Sequence, residues 1–318
     1  MQGVILAAGK GMRLHPITFK RSKAMAPIAG KPMIERVMAP LVENGVREFI
    51  IVISPDDQAI RPYFQKETGR QASYQFVVQE ERLGMAHALS LAAPYLRETF
   101  MLSACDSIVP AAHIAALIAA HQTRQARATL SLMELDPAEL SRSSAVELRD
   151  SEIRRIVEKP APGQAPSNIS SLPLYVFSLH LLAYLSEVRP SARGEYELQE
   201  AIQMLIEREG GVTGVLTDSR FQLTNAQDLL ALNRRYLSLD GRRPVLNGQM
   251  VGANTRLLPP CRIEAGTIIG PNCTIGPYVY IEDNCRIGAK ATLQEAVILR
   301  DAVIEAGRRV VGEVVGDW

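Results

Sequence analysis

Between residues 251 and 303 an aliphatic residue recurs every six positions: Val251, Leu257, Ile263, Ile269, Ile275, Ile281, Ile287, Leu293 and Leu299. A small or β-branched residue follows each at plus four: Thr255, Cys261, Thr267, Cys273, Val279, Cys285, Ala291, Val297 and Val303. Hexads of this kind mark a parallel β-helix, in which repeats stack into one continuous core. If three hexads make one coil, the nine predict three coils. Cys261, Cys273 and Cys285 are 12 residues apart, all at plus four. In a three-sided coil such neighbours lie on different faces, so these thiols read as small buried fillers rather than a metal site.

The chain ahead of the hexads follows another rule. Val4-Ile5-Leu6, the run 49–53, the segment 74–79 and the run 100–105 read as strands, and 33–44, 59–66 and 85–93 as helices. Continuous apolar strands alternating with helices predict a doubly wound, mainly parallel sheet, whose ligands gather at the carboxyl ends of the strands. The Gly9 loop, Gln79 and Asp106 all fall at such ends. Further on, 126–134, 152–158 and 174–177 read as strands, 197–208 and 228–237 as helices, and 240–244 as a linker.

The first loop is the densest in chemistry. Gly9 and Gly11 let the backbone turn tightly and approach a ligand, and such a turn can aim successive N–H groups at phosphate oxygens. Arg13 can add a forked, permanently charged donor and Lys23 a mobile point charge. Neither a third glycine in dinucleotide-binding spacing nor a Gly-Lys-Ser/Thr follows, so two common nucleotide fingerprints are missing.

Composition sets outer bounds. At 318 residues the chain has room for about two domains. The 35 Lys plus Arg nearly balance 34 Asp plus Glu, and no basic stripe points to nucleic acid. No apolar run approaches membrane-spanning length, and the first strand begins too early for a signal peptide, so no membrane association and a cytoplasmic location with reduced thiols are expected.

The string LAAGKGMRLHPITFKRSK over 6–23, followed by Pro27-Ile28-Ala29-Gly30-Lys31-Pro32, resembles the signature of the sugar-1-phosphate nucleotidylyltransferases. The resemblance implies a Rossmann-like nucleotidyltransferase domain over 1–240. The hexads resemble the left-handed β-helix, placed here at 245–318, through which such proteins often form homo-oligomers. The implied reaction joins a nucleoside triphosphate, UTP or dTTP, to a sugar 1-phosphate with Mg²⁺ as cofactor. The implied roles are nucleotide binding for Ala8, Gly9, Gly11, Gln79 and Gly84, and charge neutralisation at the reacting phosphates for Arg13 and Lys23. Glu158-Lys159-Pro160 matches the Glu-Lys-Pro that holds the sugar phosphate, and Asp106 matches the first Mg²⁺ ligand.

Several positions depart from the pattern. Cys105 and Met85 replace a usual Gly and Thr; Ser144-Ala145-Val146 stands for Tyr-Gly-Val, and Ser171-Leu172-Pro173 for Asn-Ala-Gly. The second metal ligand falls on Gln222 in one register and on Asp218 in another. A neutral amide is a poor Mg²⁺ ligand, which favours Asp218. The nucleotide half thus looks kept and the sugar half altered, and a weakened nucleotide-binding regulatory or scaffold homologue is the alternative reading. An acyltransferase on the β-helix is disfavoured, because His15, His87, His113, His121 and His180 all precede Val251.

Overall fold

The structure is a computed structural model that describes residues 1–66, 72–239 and 243–318. The chain folds as two compact units, Met1–Gly9 with Val37–Arg220 and Lys10–Arg36 with Phe221–Trp318. The boundary read at 240–245 does not coincide with this division, which places the first loop and the last helix with the hexad region. Residues 240–242 of the expected linker lie outside the described residues.

The first unit is built on strands β1 (Gln2–Leu6), β2 (Glu48–Ile53), β3 (Ser73–Val78), β4 (Phe100–Ala104), β5 (Ala128–Glu134), β6 (Ser144–Arg149), β7 (Glu152–Glu158), β8 (Ile169–Phe177) and β9 (Val212–Leu216). They form one sheet in the order β3-β2-β1-β4-β8-β5-β9-β7-β6. From β3 to β4 every pairing is parallel. Beyond β4 the sheet is mixed: β8 runs antiparallel to β4 and β5, β9 is parallel to β5, and β6 and β7 form an antiparallel hairpin. The expectation of a mainly parallel sheet holds only for the first four strands. Asp150 and Ser151 take positive φ at the β6–β7 turn, which lets the chain reverse at once instead of crossing over through a helix.

Pro173 has a structural reason. On one side β8 pairs with β6 through Ser170 and Ser171, and with β4 from Leu174 onward. On its other side the register against β5 jumps between Ser171 and Tyr175. Proline lacks the N–H a continuous ladder would need, and it sits where the ladder breaks.

Helices α1 (Met33–Glu43), α2 (Ile60–Lys66), α3 (Met85–Ala92), α4 (Ala111–Thr123) and α5 (Leu198–Arg208) follow the strands. In α5, Leu198, Ala201, Ile202 and Leu205 are fully buried at helical spacing and join Leu102, Leu130, Tyr175 and Phe177 in one core. Each such Leu or Ile contributes roughly 1.5–3 kcal/mol by burial, so a charge at Ile202 would break the layer.

In the second unit the hexads wind into three parallel faces. Cys261 pairs with Val279 and Thr274 with Thr292, eighteen residues on, as a three-sided coil requires. Cys261, Cys273 and Cys285 are buried in that core, as expected of fillers. Gly252, Gly270 and Gly288 stack at one corner, where a Cβ would come within 2.4–2.6 Å of the next coil's backbone.

The six-residue phase does not run to the end. Tyr280 pairs with Val297, only seventeen residues on. After Leu293 the core residues are Ala296, Ile298, Ala302, Ile304 and Val310. Val303, read as a core position, is 60% exposed, and Val297 and Leu299 lie outside the core cluster. One residue is missing from the side at 293–298. Val251, on an end coil with no neighbour before it, is 40% exposed.

Helix α6 (Ala226–Leu239) belongs to this unit. Its buried Asn233 accepts from the Ala29 N–H at 2.8 Å and donates to the Pro27 carbonyl at 3.0 Å, which clips the small hairpin at 27–32. Among the described residues no helix is long and apolar enough to cross a membrane.

Candidate active site

Four parallel strands place their carboxyl ends on one edge of the first unit. The ladder runs just past them: Ala7 N–H donates to Val52, Gln79 N–H to Ile53 and Cys105 N–H to Leu6. Ala8 is buried, and a side chain at Gly9 would meet nothing within 4 Å. Arg82 donates through Nε to the Ala8 carbonyl at 2.9 Å and pairs with Asp56 at 2.8 Å.

Gln79 is 4% exposed. Its Nε2 donates to the Gly84 carbonyl at 3.2 Å and lies 3.1 Å from His87 Nδ1. The Gly84 carbonyl requires a donor, which assigns the amide orientation, makes His87 Nδ1 the acceptor and leaves Oε1 to accept from elsewhere. Gly84 has φ +100°, and a Cβ there would stand 2.6 Å from the Tyr196 carbonyl oxygen. Only glycine fits.

Asp106 follows β4 and is half-buried. The Arg220 guanidinium lies within electrostatic reach of it, and Arg220 Nε donates to Ser107 Oγ at 2.9 Å. Burial pulls Arg220 below the ordinary arginine range, with Asp106 opposing the shift. Asp218 is exposed, on a turn where Ser219 N–H donates to Thr217 Oγ1.

Glu158 ends β7, and Lys159 just after it takes φ +45° and pairs with Glu158 at 3.3 Å. Ser144 Oγ donates to Glu158 Oε2 at 2.5 Å and accepts from Gln199 Nε2 at 2.9 Å. Arg193 stands 4.0 Å from Glu158 and pairs with Glu197 at 2.5 Å. Next to this group, the Tyr175 hydroxyl and Ser171 Oγ are buried and make no hydrogen bond of good geometry among the described residues, although Ser171 and Gln199 lie beside the phenol. Burial, with Glu158 adding to it, holds the Tyr175 phenol far above its ordinary range.

In the second unit Gly11 has φ +63° at the start of a short 3-10 turn, Met12–Leu14. Thr18 Oγ1 donates back to the Gly11 carbonyl at 3.0 Å, which closes the loop. A Cβ at Gly11 would press within 3.0 Å of Lys23 Cβ. Arg13 is exposed and Lys23 half-buried.

A family model described as nucleotidyl transferase matches residues 2–232. The chain belongs to the nucleotidyl transferase family. A second model, described as the GMPPB C-terminal domain, matches 257–318. UTP–glucose-1-phosphate uridylyltransferase AglF of Haloferax volcanii is 34% identical over 207 residues, 65% of this chain and 84% of that protein. The bifunctional protein GlmU of Methanococcus maripaludis is 30% identical over 240 residues, 75% of this chain and 55% of GlmU, so the match spans about half of that relative. Among solved structures, UDP-glucose pyrophosphorylase complexed with UDP-glucose superposes with a TM-score of 0.67 at 22% identity, over 75% of this chain and 98% of the other.

Within the nucleotidyl transferase framework, a Mg²⁺ ion fits the donor chemistry of Asp106, a hard oxygen ligand at a strand end. Among the described residues no group of three or more His, Cys, Asp or Glu could hold a metal by itself. A family member's ion would thus rely on one or two carboxylates plus substrate phosphate. Gln222 lies in the second unit, on the short strand Phe221–Gln222. A hollow of about 270 Å³ lined by Gln2, Glu48, Ser73 and Arg97 lies at the amino ends of β1–β3, opposite the strand ends that carry Gln79 and Asp106. Sequence reasoning missed Arg82, His87, Arg193, Gln199 and Arg220. Only Arg220 carried a signal, as part of the Arg-Phe-Gln-Leu string, and the others come from separate helices and loops.

Proposed function

We propose that the protein transfers a nucleotidyl group from UTP or dTTP to a sugar 1-phosphate. A phosphate oxygen of the sugar 1-phosphate attacks the α-phosphorus, the α–β bridging bond breaks, and pyrophosphate leaves. The observation that carries this reading is the gathering of Gln79, Gly84 and Asp106 at the carboxyl edge of β1–β4. The relatives named for glucose-1-phosphate uridylyl transfer support it.

The residues divide the work as follows. Gln79, with both amide hydrogens engaged, presents Oε1 as an acceptor. Uracil and thymine carry a ring N–H donor at position 3; cytosine carries an acceptor there. Gly84 lets the base come close to backbone, and Arg13 and Lys23 offset charge on the phosphates, which dominates such chemistry. Lys159 would bind the sugar phosphate and Glu158 accept from sugar hydroxyls. Asp106, with Asp218 as second candidate, would hold Mg²⁺, which when bound polarises phosphate oxygens.

Pyrophosphate release with Mg²⁺, across a panel of nucleotides and sugar 1-phosphates, tests the reading. UTP or dTTP should support turnover, CTP at least roughly 100-fold less, because the Gln79 acceptor would face another acceptor. Asp106→Asn should cost about 100-fold or more in kcat. Release that is insensitive to Asp106→Asn would contradict it.

One observation favours a second reading, a binding homologue with weak turnover. Glu158 is already engaged by Ser144, Lys159 and Arg193, which leaves the sugar half closed on itself. Calorimetry showing nucleotide binding without turnover for any sugar 1-phosphate would select it.

A further inference from the structure

Strand side chains alternate, so with Ile281 in the β-helix core its neighbours Tyr280 and Glu282 point outward. Outward residues of a β-helix normally meet water, yet Tyr280 is 3% exposed and Glu282 is 6% exposed. Helix α6 packs on the strand that carries Tyr280, and the first loop covers Glu282. Arg21 donates through Nη1 to both Glu282 oxygens, at 2.8 and 2.9 Å. Glu282 also accepts from the Arg300 backbone N–H at 2.8 Å, and the Arg300 side chain stands 3.8 Å away.

One coil earlier on the same face, Arg262 and Glu264 pair at 2.5 Å. A Cβ at Gly30 would stand 2.3 Å from Arg262 Nε, so this pair packs under the Gly30-Lys31-Pro32 turn. Lys20 pairs with Asp317 at 2.9 Å, an exposed ion pair that adds little. The loop is therefore bonded at the buried Glu282 and packed over the half-buried Arg262–Glu264 pair, and Arg21 is two residues before Lys23.

We propose that Glu282 is a positioning residue: through Arg21 it holds the 10–36 loop in the shape in which Arg13 and Lys23 meet the nucleotide. A carboxylate taken out of water at an outward position is costly unless a partner needs it, and its main partner is the loop. The inference rests on the nucleotidyl-transfer reading and adds to it that the β-helix shapes the phosphate-binding loop.

The test compares Glu282→Gln, Arg21→Gln, the double variant and the control Glu313→Gln in the full chain, by steady-state kinetics and amide hydrogen exchange. Glu313 pairs with Arg308, at 3.9 Å on the exposed β-helix surface. Either single variant should lower kcat/KM for the nucleotide about tenfold or more. Exchange should rise across 10–36, while β1–β4 and the hexad core keep their protection. The double variant should be no worse than the poorer single one, because both remove the same link. Unchanged kinetics in both single variants, or unchanged exchange across 10–36, would overturn the proposal; so would an equal effect of Glu313→Gln. Arg21→Gln leaves the β-helix sequence intact and decides the matter if Glu282→Gln does not fold. A wild-type protein silent on the whole substrate panel would sink the transferase reading itself. In that case exchange alone would still show whether Glu282 orders the loop.

Discussion

Tyr175 is fully buried near the end of β8, and among the described residues its hydroxyl makes no hydrogen bond of good geometry, although Ser171 and Gln199 stand beside it. A buried donor left unpaired costs about 1–3 kcal/mol, so this oxygen works against folding. Removing it should help: Tyr175→Phe is expected to raise unfolding free energy by about 1 kcal/mol, read by denaturant titration. A loss of stability would mean that the hydroxyl has a bound partner. Its surroundings show which parts of a site a sequence can reveal. The strand-end placement of Gln79 and Asp106 was legible because each ends or follows an apolar run, and strand ends can be located by counting; Gly84, behind a polar segment, was reached only through the family resemblance. Ser144, Gln199 and Arg193 were not, because they reach Glu158 from a hairpin strand, a helix and a loop. Their meeting depends on how the sheet mixes strand directions, and apolar runs carry no information about direction.

At the scale of elements, the hexads were legible until the short side at 293–298. Val297, Leu299 and Val303 are all aliphatic, so a six-residue count continued to find acceptable residues one position out of phase. Substitution separates the two phases. Val303→Lys should change stability by no more than about 0.5 kcal/mol, whereas Ile304→Lys should cost about 3 kcal/mol or more. Thermal unfolding of the pair checks this, and equal losses would contradict the observed phase. Helix α4 offers a second test. His113 and His121 face β5, bonded to Ser131 at 2.7 Å and Thr129 at 3.1 Å, and burial lowers both imidazoles from 6.5. The unfolded chain then binds protons near pH 6.5 that the folded chain refuses. Their contribution is complete above that pH and lost as pH falls through the folded values. Melting temperature should drop on acidification from about pH 7.5 to 5.5, with a shallower slope in His113→Gln/His121→Gln.

For the whole molecule, the four cysteines report on integrity. All are buried. Burial pushes the thiol of Cys261 up to about 11 and that of Cys285 up to about 12. Nucleophilic attack needs thiolate, so a disulfide reagent at about pH 8 should label the native protein only over the time of unfolding. Rapid labelling of any of the three β-helix thiols without denaturant would show that the coils open locally.

The link between Arg21 and Glu282 spans 261 residues of chain. On a ribosome adding about 5–20 residues per second, the loop is made roughly 13–50 s before its anchor. The first unit has its strands β1–β9 complete in the meantime, with the 10–36 loop still unpinned. On the proposed reading, a nascent chain halted short of residue 282 would therefore have Gln79 and Asp106 at their strand ends but little capacity to turn over nucleotide. Catalytic competence would arrive late in translation, with the coil that carries Glu282.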